Sequence, residues 1–166
     1  MGRIKKALVL TGLDREVESY FPDITKRKLE DLLIINSYGA EISQGYSSLM
    51  RNIILSVYLE KIEDIYIIVD KYDKTFTINP ENLYAPMEEE GVNVEVIETL
   101  NYIKAVGSND VMKWLSGSSN VENIIQSNIG FIKKNPLIPS KVKVHGYIVN
   151  KGSFDYQTYV SEESNI

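Results

Sequence analysis

The stretch that most constrains the fold is Ile65–Thr75, which reads IYIIVDKYDKT. Its first half is an uncharged run of β-branched and aromatic residues, and such a run is typical of a strand buried on both faces of a parallel sheet. Its second half turns abruptly polar at Asp70, Lys71, Asp73 and Lys74. Ligands of open α/β sheets bind beyond the carboxyl ends of the strands. We therefore expect this strand at the centre of a sheet and its charged end beside any functional site.

The segments that precede it complete a βαβ unit. Two further apolar runs, Ile4–Thr11 and Asp31–Asn36, predict strands. Between the second run and the central strand, apolar residues recur at helical spacing from Ser47 or Ser48 to about Lys61. A strand, a helix and a second buried strand favour a right-handed crossover between parallel strands.

The second half of the chain adds helices and a hairpin. Helical patterns cover Val111–Leu115 and Val121–Lys134, and alternating patterns predict strands at Val92–Ile97 and Lys141–Asn150. A turn then leads into Phe154–Val160, which can pair back as a hairpin arm. Together the segments predict an α/β fold, a mainly parallel twisted sheet flanked by helices, in one domain that spans residues 1–166.

Composition excludes several classes of function. The chain has no cysteine, which removes disulfides, thiolate metal sites and thiol nucleophiles, and its single histidine, His145, is expected to be structural or exposed. The net charge of −5, without a basic patch, argues against nucleic acid binding. We find no secretion signal and no apolar segment long enough for a membrane, so we expect a cytoplasmic protein without a membrane partner.

Four segments carry a resemblance to a known family. They are ALVLTGLD (7–14), LIINSYGA (33–40), IIVDKYDKT (67–75) and KNPLIPSKVKVHGYIVN (134–150). In order and spacing they resemble the β-class carbonic anhydrases, in which the first three strands normally end in Cys-x-Asp-Ser-Arg, an Arg-Asn-Ala-Gly type loop and His-x-x-Cys-Gly. The resemblance covers nearly the whole chain and is weakest over residues 77–117. It implies a β-carbonic anhydrase-like fold and a homodimer.

The family's zinc ligands are replaced. The two cysteine positions fall on Gly12 and Lys74, and the histidine position falls on Lys71. Glycine has no side chain, and a lysine ammonium has no free lone pair. The family's aspartate is retained as Asp14, whereas its arginine position falls on Glu16. Hydration of carbon dioxide needs a metal to lower the pKa of bound water, so we expect neither zinc nor this activity.

The residues at the former zinc site form the candidate pocket: Gly12, Asp14, Arg15, Gly39, Lys71, Asp73 and Lys74. One hypothesis is that Lys71 or Lys74 takes the place of zinc and pairs with Asp14. In a second, the two lysines point to solvent without a role, and in a third they form a pocket for bicarbonate, phosphate or a carboxylate. A different metal, bound by oxygen ligands of Asp14, Asp70 and Asp73, is a fourth.

The sequence thus predicts a β-carbonic anhydrase homologue that does not hydrate carbon dioxide and that has a binding or regulatory role toward a small anion or a protein partner. Two alternatives stay open at this point. One is an enzyme of another kind that uses Asp14, Lys71 and Lys74 in the former zinc pocket. The other is a carbonic anhydrase with an atypical metal site.

Overall fold

The structure, a computed structural model, describes residues 6–160. Their strands and α-helices follow in the order β1 (Ala7–Thr11), α1 (Phe21–Thr25), β2 (Leu32–Asn36), α2 (Ser48–Leu59), β3 (Asp64–Asp70), α3 (Pro80–Glu89), α4 (Val94–Tyr102), α5 (Val111–Ser116), α6 (Val121–Lys134), β4 (Lys143–Asn150) and β5 (Asp155–Val160). Short 3-10 helices connect several of them. No helix in this part of the chain is long and apolar enough to cross a membrane.

The sheet has the strand order β2-β1-β3-β4-β5. Strand β1 pairs in parallel with β2 and β3, β3 pairs in parallel with β4, and only β5 runs antiparallel to its neighbour. The predicted mainly parallel sheet, with the Ile65 strand at its centre, is confirmed. The first two residues of the predicted first strand, Ile4 and Lys5, lie outside the described residues.

The central strand is buried on both faces, as its composition predicts. Ile65, Ile67 and Val69 belong to a core with residues of α2 and α6. Tyr66 and Ile68 point to the opposite face and pack in a smaller core that includes Phe21 of α1. Because side chains alternate along a strand, an uncharged run can fill both cores at once.

The predicted strand Val92–Ile97 is wrong, because α4 occupies this region. The Asn93 side chain caps the helix by accepting a hydrogen bond from the Glu95 amide. Ile97 is buried against Val111 and Met112 of α5 in a small separate cluster. The packing of Ile97 against α5 therefore favours a helix in this segment. The alternation of apolar and polar residues is too short to identify a strand.

His145 is buried in β4 and has a structural role, one of the two that the sequence predicts. Its Nε2 lies 2.9 Å from Asp64 Oδ1, and Arg27 Nη2 donates to Asp64 Oδ2 at 3.1 Å. The imidazole stacks on the Tyr66 ring, with 4.5 Å between the centroids. Burial raises the pKa of Asp64, but His145 and Arg27 together outweigh burial and leave the pKa lowered.

The close approach of β4 to α6 generates a stability prediction. A Cβ at Gly146 would overlap Ile125 Cγ2, whereas a Cβ at Gly130, inside α6, meets no atom within 4 Å. We expect Gly146→Ala to lower the free energy of unfolding by about 1–3 kcal/mol through overpacking. The matched change Gly130→Ala should raise it by about 0.5–1 kcal/mol, because alanine favours the helix. Urea unfolding measures both, and unchanged stability of Gly146→Ala would contradict the described packing.

Candidate functional site

Three parallel strands end at one edge of the sheet and bring charged residues together there. Asp14 follows β1, Asp70 is the last residue of β3, and Lys151 comes directly after β4. Their side chains meet because β1, β3 and β4 are neighbours that run in the same direction. This edge is where ligands bind in open α/β sheets.

Lys151 is the centre of the charged cluster. Its ammonium donates a short hydrogen bond to Asp14 Oδ2 and lies 3.4 Å from Glu16 Oε2 and 3.7 Å from Asp70 Oδ2. The hydrogen bond from Lys151, and after it the one from the Glu16 backbone amide, lower the pKa of Asp14. The same bond to Asp14 is the largest cause that raises the pKa of Lys151. At neutral pH this pair is therefore fully charged.

The predicted pairing of Asp14 with Lys71 or Lys74 is wrong, since Lys151 holds that place. The Lys71 amide bonds to the Val149 carbonyl at 2.8 Å and so extends the pairing of β3 with β4. The Lys71 side chain lines a different, smaller cavity, and its ammonium lies 5.6 Å from the centre of the Tyr72 ring. Lys71 thus lies outside the pocket predicted for it.

All the remaining predicted residues except Gly12 border one cavity of about 470 Å³ at the strand ends. We call it the strand-end cavity. Its wall includes Asp70, Lys151 and five predicted residues, which are Asp14, Arg15, Gly39, Asp73 and Lys74. Lys151 is a site residue that is not predicted from the sequence; it begins the turn between the predicted strands Lys141–Asn150 and Phe154–Val160. The sequence shows that Lys151 directly follows a predicted strand, but the parallel pairing of that strand beside the central one is known only from the structure.

Asp73 and two glycines fix the shape of this cavity. Asp73 Oδ1 accepts hydrogen bonds from the Thr75 amide at 2.9 Å and from Thr75 Oγ1 at 2.7 Å. Gly39 has a φ of +63°, and a Cβ there would lie 2.7 Å from Thr75 Oγ1. Gly12 lies behind the wall, and its Cβ would lie 2.6 Å from Asp73 Oδ2. The Asp73 carboxylate therefore fills the space that a side chain at position 12 would need.

The residues present do not fit the zinc ion that the resemblance implies. Position 12 offers no donor atom, Lys71 lies outside the cavity, and Lys74 presents a cation. Asp14, the retained carboxylate, is already paired with Lys151. Across residues 6–160, no three carboxylate or imidazole groups are arranged to hold a metal ion.

Comparisons with known proteins identify the family and the fold. No family profile matches the chain. The carbonic anhydrase-like protein YbcF of Bacillus subtilis strain 168 is 33% identical over 152 residues, which cover 88% of this chain and 82% of that protein. Among solved structures, β-carbonic anhydrase isoform I of Trichomonas vaginalis superposes with a TM-score of 0.77 at 19% identity, over 98% of this chain and 89% of that one. The carbonic anhydrase of Streptococcus mutans superposes with a TM-score of 0.67 at 14% identity, over 96% of this chain and 86% of that one. At these identities the two structures establish the fold alone.

The Lys151 cluster generates a pH-dependent prediction. We expect Lys151→Gln to lower the free energy of unfolding near pH 7 by about 1 kcal/mol, a modest effect because solvent screens a pair whose side chains are 31% and 37% exposed. The pKa of Asp14 is lowered in the folded state, so its contribution is present above its unfolded pKa of about 3.9. The contribution is lost as the pH falls through the folded pKa, and the difference between the two proteins should shrink accordingly.

Urea unfolding of both proteins near neutral pH and again in acid measures this difference. Lys71→Gln is the matched control, because its ammonium makes no ion pair within residues 6–160, and we expect a change within about 0.5 kcal/mol. An equal loss in the control, or a loss that persists unchanged in acid, would show that Lys151 does not act through Asp14.

Proposed function

The chain belongs to the β-carbonic anhydrase family, and from that premise we propose that it does not hydrate carbon dioxide and binds a small anion in its strand-end cavity. The observation that carries the proposal is the charge pattern of that cavity. Lys151 is surrounded by carboxylates, whereas Lys74 has no carboxylate within 4 Å in the described part of the chain.

The loss of hydration is argued from donor chemistry. Hydration at neutral pH depends on a group that lowers the pKa of water to about 7, and a metal does this in such sites. Here the three positions of the family's ligands hold a glycine and two lysines, and Asp73 occupies the space beside the glycine. None of these side chains could replace the metal in that role.

Anion binding is argued from the cations that remain available. The Arg15 guanidinium lies 3.7 Å from Glu18, and its side chain is 85% exposed, so it stands at the rim of the cavity. Lys74 also borders the cavity, and its positive charge contributes to lowering the pKa of Asp14. A lysine ammonium binds bicarbonate, phosphate or carboxylate groups as a compact point charge. Of the three cations in the wall, Lys151 is paired with carboxylates and Arg15 lies beside Glu18, so Lys74 is the one that remains for a ligand.

An enzyme that uses Asp14 in a repurposed pocket is a weaker reading of the same geometry. A general base is most effective when its pKa lies near the working pH. The ion pair with Lys151 lowers the pKa of Asp14 instead, which makes the carboxylate a poorer base. A regulatory role, a protein partner, the homodimer and the cytoplasmic location stay predictions.

The proposal predicts anion-dependent thermal stability. We expect bicarbonate, phosphate and acetate, each titrated at constant ionic strength, to raise the melting temperature of the wild-type protein. At tenfold above the dissociation constant the stabilisation is about 1.4 kcal/mol. For a chain of this size that corresponds to a rise of about 3–5 °C. Lys74→Gln should abolish the rise, and differential scanning fluorimetry measures it.

Lys71→Gln serves as the matched control for that experiment. It removes an equal charge from the neighbouring stretch of chain but outside the strand-end cavity, so the rise should persist. If no anion changes the melting temperature, or if the two variants respond alike, the cavity is not an anion site.

A further inference from the structure

A second, larger cavity adjoins the strand-end cavity. It measures about 780 Å³, and its apolar wall is formed by Ile78, Leu83, Met87, Trp114, Leu115 and Ile124. We call it the apolar cavity. Tyr38 and Gly39 border both cavities, so the two share a wall.

The 3-10 helix Lys74–Thr77 connects the two cavities. Lys74 borders the strand-end cavity, whereas the next residue, Thr75, and Ile78 at the end of the turn border the apolar cavity. The polar and the apolar cavity therefore adjoin each other along this turn.

The charged residues that line the apolar cavity are compatible with a negatively charged ligand. The one carboxylate in its wall, Glu41, accepts hydrogen bonds from the Ser118 amide at 3.2 Å and from Ser118 Oγ at 2.8 Å. Both Glu41 oxygen atoms are thus already engaged. Lys113, the other charged residue of the wall, adds a cation.

From this juxtaposition we propose that the natural ligand is an organic carboxylate with an apolar chain, whose head group binds at Lys74 and whose chain lies in the apolar cavity. The inference rests on the proposed anion site and names the class of anion that the site takes. It assigns a small molecule, and not a protein partner, to the apolar cavity.

Cavity size supports an organic anion over an inorganic one. Cavities of roughly 300–1,000 Å³ usually hold ligands with many heavy atoms, and the apolar cavity falls within that range. Bicarbonate or phosphate would fill only the polar end. Each methylene that moves from water into an apolar wall gains about 0.8 kcal/mol, which corresponds to nearly fourfold in affinity. We therefore expect the affinity of the ligand to depend on the length of its apolar chain.

Trp114 provides a direct probe, because it is the sole tryptophan of the chain and lies in the wall of the apolar cavity. We would titrate acetate, butyrate, hexanoate and octanoate and follow tryptophan fluorescence together with the melting temperature. The dissociation constant should fall about threefold to fourfold per added methylene along the series. The longer acids should change the Trp114 emission, and acetate should not.

Variants separate the head group from the chain. Lys74→Gln should weaken every member of the series by a similar factor, since it removes the contact that all of them share. Met87→Ser should flatten the dependence on chain length, because it makes the wall of the apolar cavity polar. Val96→Ser is the matched control, since Val96 is exposed on α4 and is not part of that wall, and it should keep the full dependence.

The outcomes distinguish this inference from the proposed function. Acetate binding without any gain from chain length overturns the inference and leaves the anion site standing. Absence of binding by every acid overturns the inference, and if bicarbonate and phosphate also fail to bind, the proposed anion site is overturned with it. Equal binding of hexanoate, hexanol and hexylamine shows an apolar cavity without recognition of charge and also overturns the inference. So does a dimer, detected by sedimentation, in which the Trp114 emission does not respond to octanoate.

Discussion

The parallel pairing of β1, β3 and β4 is the constraint on which the rest of the site depends. Three neighbouring strands that run in one direction place their carboxyl ends at a single edge of the sheet. The pairing also requires cover on both faces, which α1 supplies on one side and α2 and α6 on the other. Charged residues that are far apart in sequence, such as Asp14 and Lys151, meet only because of this arrangement.

At that edge the Lys151 ammonium supplies the positive charge that pairs with Asp14. The Lys151 ammonium lies among the carboxylates of Asp14, Glu16 and Asp70, and the last of these is only 6% exposed. Lys151, Asp14 and Glu16 are partly or largely exposed, so solvent screens most of this cluster, and only the Asp70 carboxylate is shielded. Glu16, at the family's arginine position, contacts the same ammonium. The cluster lies at the ends of β1, β3 and β4, and Lys74 borders the cavity beside it.

Much of the fold could be predicted from the sequence, and the reasons are physical. The uncharged run of β3 fits only a buried strand, and the periodic apolar face of α6 fits only a helix. The structure confirms both predictions. The segment Val92–Ile97 was misassigned because six residues fit both periodicities, and only packing against α5 selects the helix. The sequence predicts Gly12 and Gly39 at the site. It does not predict which side chain lies against each glycine, because that depends on the folded chain.

The site could be predicted less completely. The sequence indicates which strand ends meet, and five of the seven predicted residues do border the strand-end cavity. It does not indicate which of several lysines turns toward Asp14. That choice depends on how the backbone continues after each strand: Lys71 still pairs with β4, whereas Lys151 begins a 3-10 helix beside the cavity.

The most direct test of the central claim is to measure zinc binding and carbon dioxide hydration on one sample of the purified protein. Equilibrium dialysis against zinc, followed by elemental analysis, gives the stoichiometry, and stopped flow gives the rate of hydration. Because glycine and two lysines stand at the ligand positions, we expect no stoichiometric zinc and no rate above the uncatalysed reaction. One zinc per chain with hydration that Asp14→Asn abolishes would contradict the claim, and would show that other residues at the strand ends hold a working metal.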